Sequence, residues 1–98
     1  GVSSRFYTHE VARRLKELID KDPRDLTLDE VRELLKISDL MLEESRVSGR
    51  EDLLEYAVRL KVYCALVEGI ILRRMAEEAL KKEQARSSAP QPECSTPS

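Results

Sequence analysis

The sequence predicts an all-α domain: a three-helix up-down-up bundle over residues 8–86, with a third helix much longer than the other two. Residues 51–84 contain no Pro and one Gly and consist mainly of Leu, Ala, Glu, Lys and Arg, which are good helix formers. Upstream, apolar residues recur at helical spacing in two further segments, separated by short turns containing Pro or Gly. A bundle of about 80 residues supplies only a small core, so we consider it both alone and as a dimer.

The first helix is predicted over residues 8–21, with Thr8 as its N-cap. It should end before Pro23, because the residue preceding a proline is disfavoured in the α region. Residues 1–7 are predicted to form a flexible entry segment. The apolar face of the helix repeats at the spacing of an amphipathic helix and consists of Val11, Leu15, Leu18 and Ile19.

The second helix is predicted over residues 28–47, and its start carries the most specific local signal in the sequence. Thr27 and Glu30 have the spacing of a capping box, in which each side chain accepts a hydrogen bond from the backbone N–H of the other residue. Leu26 and Val31 occupy the two positions of a hydrophobic staple. The predicted core face, interrupted by Ser38, consists of Leu28, Val31, Leu34, Leu35, Met41 and Leu42.

The third helix is predicted over residues 50–84, directly after Gly49, which can close the second helix in the left-handed conformation. Such a short link makes the second and third helices an antiparallel hairpin. Ser48 and Glu51 have the spacing of a second capping box. Residues 87–98 hold three of the four prolines and predict a disordered tail. The predicted core face is Leu53, Tyr56, Ala57, Leu60, Tyr63, Cys64, Val67, Ile70 and Ile71.

A second apolar stripe runs along nearly the opposite side of the third helix, with the alternating spacing of four and three residues that is typical of a coiled-coil seam. It consists of Val58, Val62, Ala65, Gly69, Leu72 and Ala76. Two neighbours in a three-helix bundle lie on adjacent sides of a helix, which predicts that this stripe stays uncovered. The alternative is that the first two helices cover both stripes between them. Ile37 and Leu40 lie off the predicted core face of the second helix, and we predict that they and the stripe bind a partner.

The charge balance argues against a dedicated nucleic-acid binder. Lys and Arg total 17 against 19 for Asp and Glu, whereas nucleic-acid-binding domains usually carry a strong basic excess. Basic side chains do cluster, interleaved with Glu, on the first and third helices: Arg13, Arg14 and Lys16, and then Arg73, Arg74, Lys81, Lys82 and Arg86. Nucleic-acid association through these positions is therefore the alternative function.

The sequence contains no pattern of a catalytic, metal or cofactor site. His9 is the only histidine, and zinc sites usually combine several His, Cys or acidic ligands. Cys64 lies in the middle of an apolar helix face, where no base or helix N-terminus activates a thiol. No apolar run reaches the roughly 20 residues that a membrane-spanning helix needs. We therefore expect no enzymatic activity, no cofactor, no small-molecule substrate and no membrane insertion.

Together these observations predict a protein–protein interaction or oligomerisation module that serves as a scaffold within a larger protein. The partner is either a second copy of the chain, giving a homodimer, or a helical segment of another protein. Cys64 and Cys94 are expected as free thiols, which suits an intracellular location in the cytoplasm or nucleus. Because the chain begins at Gly1 rather than Met, we expect it to be a piece of that larger protein.

Overall fold

The computed structural model describes residues 7–88, and within that range the chain is all-helical, as predicted. Helix α1 spans His9–Ile19, a single 3₁₀ turn spans Pro23–Asp25, α2 spans Leu28–Ser48 and α3 spans Glu51–Ser88. The prediction of three helices with a long third one is therefore confirmed. The predicted tail over residues 87–98 begins too early, because Ser87 and Ser88 are the last residues of α3. The rest of that tail, and the predicted entry segment apart from Tyr7, lie outside the described residues.

The start of α1 and the turn that follows it are fixed by side chains that cap backbone groups. The backbone N–H of Val11 donates to Oγ1 of Thr8 at 3.3 Å, which confirms Thr8 as the N-cap. The helix ends at Ile19, slightly earlier than predicted, and the 3₁₀ turn begins at Pro23. Asp22 stabilises this turn because its carboxylate accepts from the backbone N–H of Arg24 at 2.9 Å.

The capping box at the start of α2 is present in full. The backbone N–H of Glu30 donates to Oγ1 of Thr27 at 3.1 Å, and the backbone N–H of Thr27 donates to Oε1 of Glu30 at 3.0 Å. Two otherwise unpaired donors of the first turn are thereby satisfied. At the other end, Gly49 adopts a φ of 73°, the left-handed conformation that closes a helix and that glycine takes without steric cost.

The predicted capping box at the start of α3 is wrong. Ser48 is the last residue of α2, and its hydroxyl donates to the backbone carbonyl of Glu44 at 2.7 Å. An N-cap residue has to leave the helical backbone conformation, so Ser48 cannot both complete α2 and cap α3. The helix ladder of α3 instead begins with the backbone N–H of Leu54, which donates to the carbonyl of Arg50 at 3.2 Å.

The three helices run up, down and up, and one apolar core lies between them. The two-residue link between α2 and α3 makes them an antiparallel hairpin, and Lys61 on α3 pairs with Asp39 on α2 at 3.1 Å. Arg14 joins α1 to α2 by donating to both carboxylate oxygens of Glu33, at 2.7 and 3.0 Å. The buried core residues are Leu15, Leu18, Leu26, Val31, Leu34, Ile37, Met41, Leu53, Ala57, Leu60, Cys64 and Val67.

The core face of α2 is rotated relative to the predicted one. Ile37, predicted to lie off the core, is only 4% exposed, whereas Leu35 and Leu42 are half-buried. The rotation places Ser45 in the core, together with Ser38, which already interrupts the predicted core face. Their hydroxyls donate to the carbonyls of the residues three positions earlier, at 2.6 and 2.7 Å, so both polar groups are buried without losing a hydrogen bond.

Candidate partner-binding surface

The two long sides of α3 have opposite environments. One side faces α1 and α2 through a row of buried residues spaced alternately by four and three positions. We call this row the covered seam, and it consists of Leu53, Ala57, Leu60, Cys64 and Val67. Half-buried Tyr63 and Ile71 pack against the same core. The predicted core stripe of the third helix is therefore correct along its centre.

The second stripe lies on the opposite side of α3 and is exposed along its whole length. We call it the open seam; its members are Val58, Val62, Ala65, Gly69, Leu72 and Ala76. At about 100° per residue its centre is roughly 140° around the helix from that of the covered seam. Val58, Val62 and Leu72 are 49%, 56% and 47% exposed, so α1 and α2 do not cover this face. That the open seam binds a partner stays a prediction.

Three further leucines extend the exposed apolar face beyond the six predicted positions. Leu54, Leu66 and Leu80 are 44%, 65% and 60% exposed and lie beside the open seam. The sequence indicates a broad apolar face at this level, because Glu68 is the only charged residue from Val62 to Leu72. Reading a strict heptad stripe missed these flanking positions, which a broader helical arc would have included.

Two residues predicted for the core face of α3 lie largely on the surface. Tyr56 is 44% exposed and Ile70 is 53% exposed. Both occupy the edge of the predicted arc, where a side chain is buried only if a neighbouring helix reaches that far around α3. Tyr56 instead borders a shallow groove between α1 and α3, together with Ile19, Arg59, Leu60 and Tyr63.

Gly69 has no role that the fold of this chain explains. A glycine within a helix costs roughly 1 kcal/mol relative to alanine, and a Cβ atom added at Gly69 would meet no atom within 4 Å. Its φ also lies outside the left-handed region in which glycine is favoured. The absence of a side chain at Gly69 therefore leaves an open notch in the middle of the open seam.

The two predicted partner-binding residues on α2 differ in their environments. Ile37 is buried between the helices, so the prediction that it is available to a partner is wrong. Leu40 is half-buried and does not belong to the core cluster. The surface described here is therefore a property of α3, and α2 adds little to it.

Charged side chains border the open seam on both sides. On one side, Arg59 pairs with Glu55 at 2.8 Å and Arg73 lies 3.9 Å from Glu77. On the other side lie Lys61, which is held by Asp39, and half-buried Glu68. Among the described residues, the Glu68 carboxylate makes no hydrogen bond or ion pair. Glu68 is the only charged residue between Val62 and Leu72.

Half of the eight basic side chains named on α1 and α3 pair with acidic neighbours. Lys16 pairs with Asp20 at 3.2 Å, and Arg86 pairs with Glu83 at 3.3 Å. Arg14 pairs with Glu33 and Glu17. Mixed charge at this spacing is typical of a solvated helix face rather than of a phosphate-binding surface.

Cys64 lies in the core and is unreactive as a nucleophile. Its thiol is buried, and burial, followed by the nearby charge of Glu68, raises its pKa to about 11. A thiol with such a pKa is almost entirely protonated at neutral pH, whereas the thiolate is the reactive form. Between residues 7 and 88, no group of three or more His, Cys, Asp or Glu side chains is placed to hold a metal ion.

No helix within residues 7–88 combines the length and the apolar character that crossing a bilayer requires. Comparison of the chain with protein-family models, with curated proteins and with solved structures gives no match. The function is therefore proposed from the open seam and its surroundings.

Proposed function

We propose that this chain is a protein–protein interaction or oligomerisation module whose binding surface is the open seam of α3. The observation that carries the proposal is the exposure of Val58, Val62 and Leu72 on one continuous helix face, opposite the side that builds the core. Contiguous exposed apolar patches on small proteins commonly mark interaction sites. The flanking leucines widen the patch and strengthen the argument.

The length of α3 supports the same proposal. Ile71 is the last residue of α3 with a partly buried side chain, and every position from Leu72 to Ser87 is exposed. An isolated helix of about 15 residues is only marginally stable in water. A partner that lies along α3 would stabilise this projecting part, because Leu72, Ala76 and Leu80 continue the apolar face along it.

Binding is favoured over catalysis and over nucleic-acid association by the surroundings of the polar groups. Cys64 is buried with a raised pKa, and half of the basic residues of the alternative function are paired with carboxylates. We retain a role as an intracellular scaffold as part of the proposal. A free buried thiol at Cys64 suits the reducing cytoplasm or nucleus.

The proposal is tested by placing a charge in the open seam with Ala65→Glu. A partner that covers residue 65 would have to bury an unpaired carboxylate, which is strongly unfavourable. We expect the variant to keep the helical circular dichroism of the wild-type protein. Its solution mass, measured by light scattering, should be lower than that of the wild-type protein at concentrations where the wild-type protein is associated. Folding should survive because Ala65 is exposed in the chain itself.

Ala85→Glu is the matched control. Ala85 is also exposed on α3, on the side away from the open seam, so the same substitution there changes charge and helix propensity without touching the proposed surface. It should leave the solution mass unchanged. An Ala65→Glu protein that is folded and has unaltered mass and unaltered partner binding would falsify the proposal.

A further inference from the structure

We infer, on the basis of the proposed function, that the occupant of the open seam is a second copy of this chain, packed parallel and in register as a two-stranded coiled coil. The open seam has a continuous heptad phase, in which Ala79 extends it by one position. The a positions are Val62, Gly69 and Ala76, and the d positions are Val58, Ala65, Leu72 and Ala79. A repeat of 3.5 residues keeps an apolar row facing a second helix over several turns.

The charges bordering the open seam distinguish a parallel pair from an antiparallel one. In a parallel coiled coil, each g position lies beside the e position five residues later on the other helix, and these pairs set the orientation. Here Glu68 at g would lie beside Arg73 of the second copy, and by symmetry this pair forms twice. The other g and e neighbours are compatible too: Met75 meets Leu80, and Lys61 meets Leu66.

An antiparallel pair that aligns the same apolar layers brings like charges together. Matching Val58 with Ala76, and Val62 with Leu72, places each g position beside g and each e position beside e. Glu68 would then face Glu68 of the second copy, and Arg59 would face Arg73. Close pairs of like charge are unfavourable, so the charge pattern selects the parallel arrangement.

Both charged groups are available for a partner. In the described part of the chain the carboxylate of Glu68 has no ion pair, and Arg73 has only the 3.9 Å contact with Glu77. A carboxylate that is half-buried beside an apolar face gains from a cation supplied by a partner more than a fully exposed one does. The second copy supplies that cation at the matching heptad position.

The shape of the surface also fits a second copy of α3. A Cβ at Gly69 would meet open space, and Ala65 directly precedes it in the open seam, so two α3 helices could approach closely at this level. Covering the open seam does not disturb the bundle, because α1 and α2 pack on the other side of α3. In a parallel pair with twofold symmetry the two bundles lie on the outside of the coiled coil, at the same end.

The arrangement is tested by disulfide trapping in a Cys94→Ser background, which leaves Cys64 as the one native cysteine. With Ala65→Cys, parallel in-register packing places residue 65 beside residue 65 of the second copy, so oxidation should yield a cross-linked dimer in high yield. A mixture of Val58→Cys and Ala76→Cys proteins should give 58–58 and 76–76 cross-links but no 58–76 cross-link, because only the antiparallel pair brings residue 58 beside residue 76. Peptide mass mapping of the oxidised mixture distinguishes the three products. Efficient 58–76 cross-linking in the mixture, without self-cross-linking at residue 65, would overturn the parallel arrangement.

Charge exchange gives a second, independent readout by sedimentation equilibrium. Glu68→Arg and Arg73→Glu should each raise the dimer dissociation constant on the order of tenfold, and the double exchange should largely restore it. The antiparallel pair requires the opposite for Arg73→Glu, namely tighter association through Arg59. Tighter association of that variant would therefore overturn the inference.

The outcomes separate this inference from the proposed function. A wild-type protein that stays monomeric at millimolar concentration overturns the second copy as occupant but leaves open-seam binding to another helix intact. A dimer that resists Ala65→Glu overturns the second copy as occupant of the open seam, and it overturns the proposed function too when partner binding is also unaltered. A dimer that Ala65→Glu dissociates, combined with self-cross-linking at residue 65, supports both.

Discussion

The covered seam and the open seam of α3 are built on the same heptad spacing and differ in what lies against them. The covered seam packs against α1 and α2, and its central members are almost fully buried. The open seam carries Val58, Val62 and Leu72 at about half exposure. Periodicity therefore identifies which residues share a face, whereas burial depends on where neighbouring helices end and on which side they pack.

The two seams also differ in side-chain size and in their polar borders. The covered seam combines large residues with Ala57 and Cys64, and it faces buried Ser38 and Ser45 on α2. The open seam has Ala65, Gly69 and Ala76, all three of which are exposed among the described residues. Small residues on both sides of the α2–α3 hairpin permit close packing there, and the open seam also carries small residues.

The sharpest contrast should come from the same truncation on the two sides of α3. Leu60 in the covered seam is 3% exposed, and Leu66 beside the open seam is 65% exposed. Leu60→Ala should lower the free energy of unfolding by roughly 2–5 kcal/mol, as buried leucine truncations do, and Leu66→Ala by less than about 0.5 kcal/mol. Urea unfolding at a concentration where the chain is monomeric measures both, and equal losses would show that the two sides are not different in the monomer.

The N-cap of α2 stabilises the helix that packs against the covered seam. Thr27→Ala removes the acceptor of the Glu30 backbone N–H and should lower the free energy of unfolding by about 1 kcal/mol. Thr8→Ala, which removes the longer 3.3 Å cap of α1, is the matched control and should cost less. No loss in denaturant unfolding of the Thr27→Ala protein would contradict the observed capping box.

Gly69→Ala should separate the stability of the monomer from its association. Because nothing occupies the space around Gly69, the alanine should raise the free energy of unfolding of the monomer by roughly 0.5–1 kcal/mol. The added methyl group should at the same time weaken dimerisation, since it fills the notch that allows close approach. Thermal unfolding at low concentration and sedimentation at high concentration measure the two effects, and a tighter dimer would argue against a close helix contact at Gly69.

Acidification should lower the free energy of unfolding of the bundle slightly. It should leave the apolar contacts of the open seam unchanged. The Arg14 guanidinium lowers the pKa of Glu33, and Lys21, together with the Thr27 backbone N–H, lowers that of Glu30. These carboxyl groups therefore stabilise the folded chain above about pH 4.3, the ordinary value for Glu. That contribution is lost as the pH falls through their lower folded pKa values.

The Glu33→Gln variant is the test of this pH dependence. It should reduce the slope of unfolding free energy against pH below about pH 4.3, while Glu78→Gln, on the exposed part of α3, should leave the slope unchanged. A wild-type chain whose unfolding free energy is flat between pH 5 and pH 3 would show that the pairs do not contribute.

Much of the fold follows from local patterns that the sequence states directly. The two ends of α2 are defined by the capping box of Thr27 and Glu30 and by the left-handed Gly49. The absence of Pro allows α3 to continue as one helix. These signals depend on groups only three or four residues apart, so they hold wherever the helix later packs. The predicted capping box of Ser48 and Glu51 is absent, because Ser48 completes α2 and its hydroxyl donates to the carbonyl of Glu44.

The sequence by itself determined the three helices, their order and the two apolar seams of α3. Only the tertiary structure decided that Ile37 and Ser45 enter the core and that Tyr56 and Ile70 stay outside it. The rotation of a helix about its own axis depends on the shape of the helices packed against it, which no residue-to-residue spacing within one helix contains. For the same reason the open seam could be read as a stripe from the sequence, but its exposure became evident only once α1 and α2 were placed on the opposite side of α3.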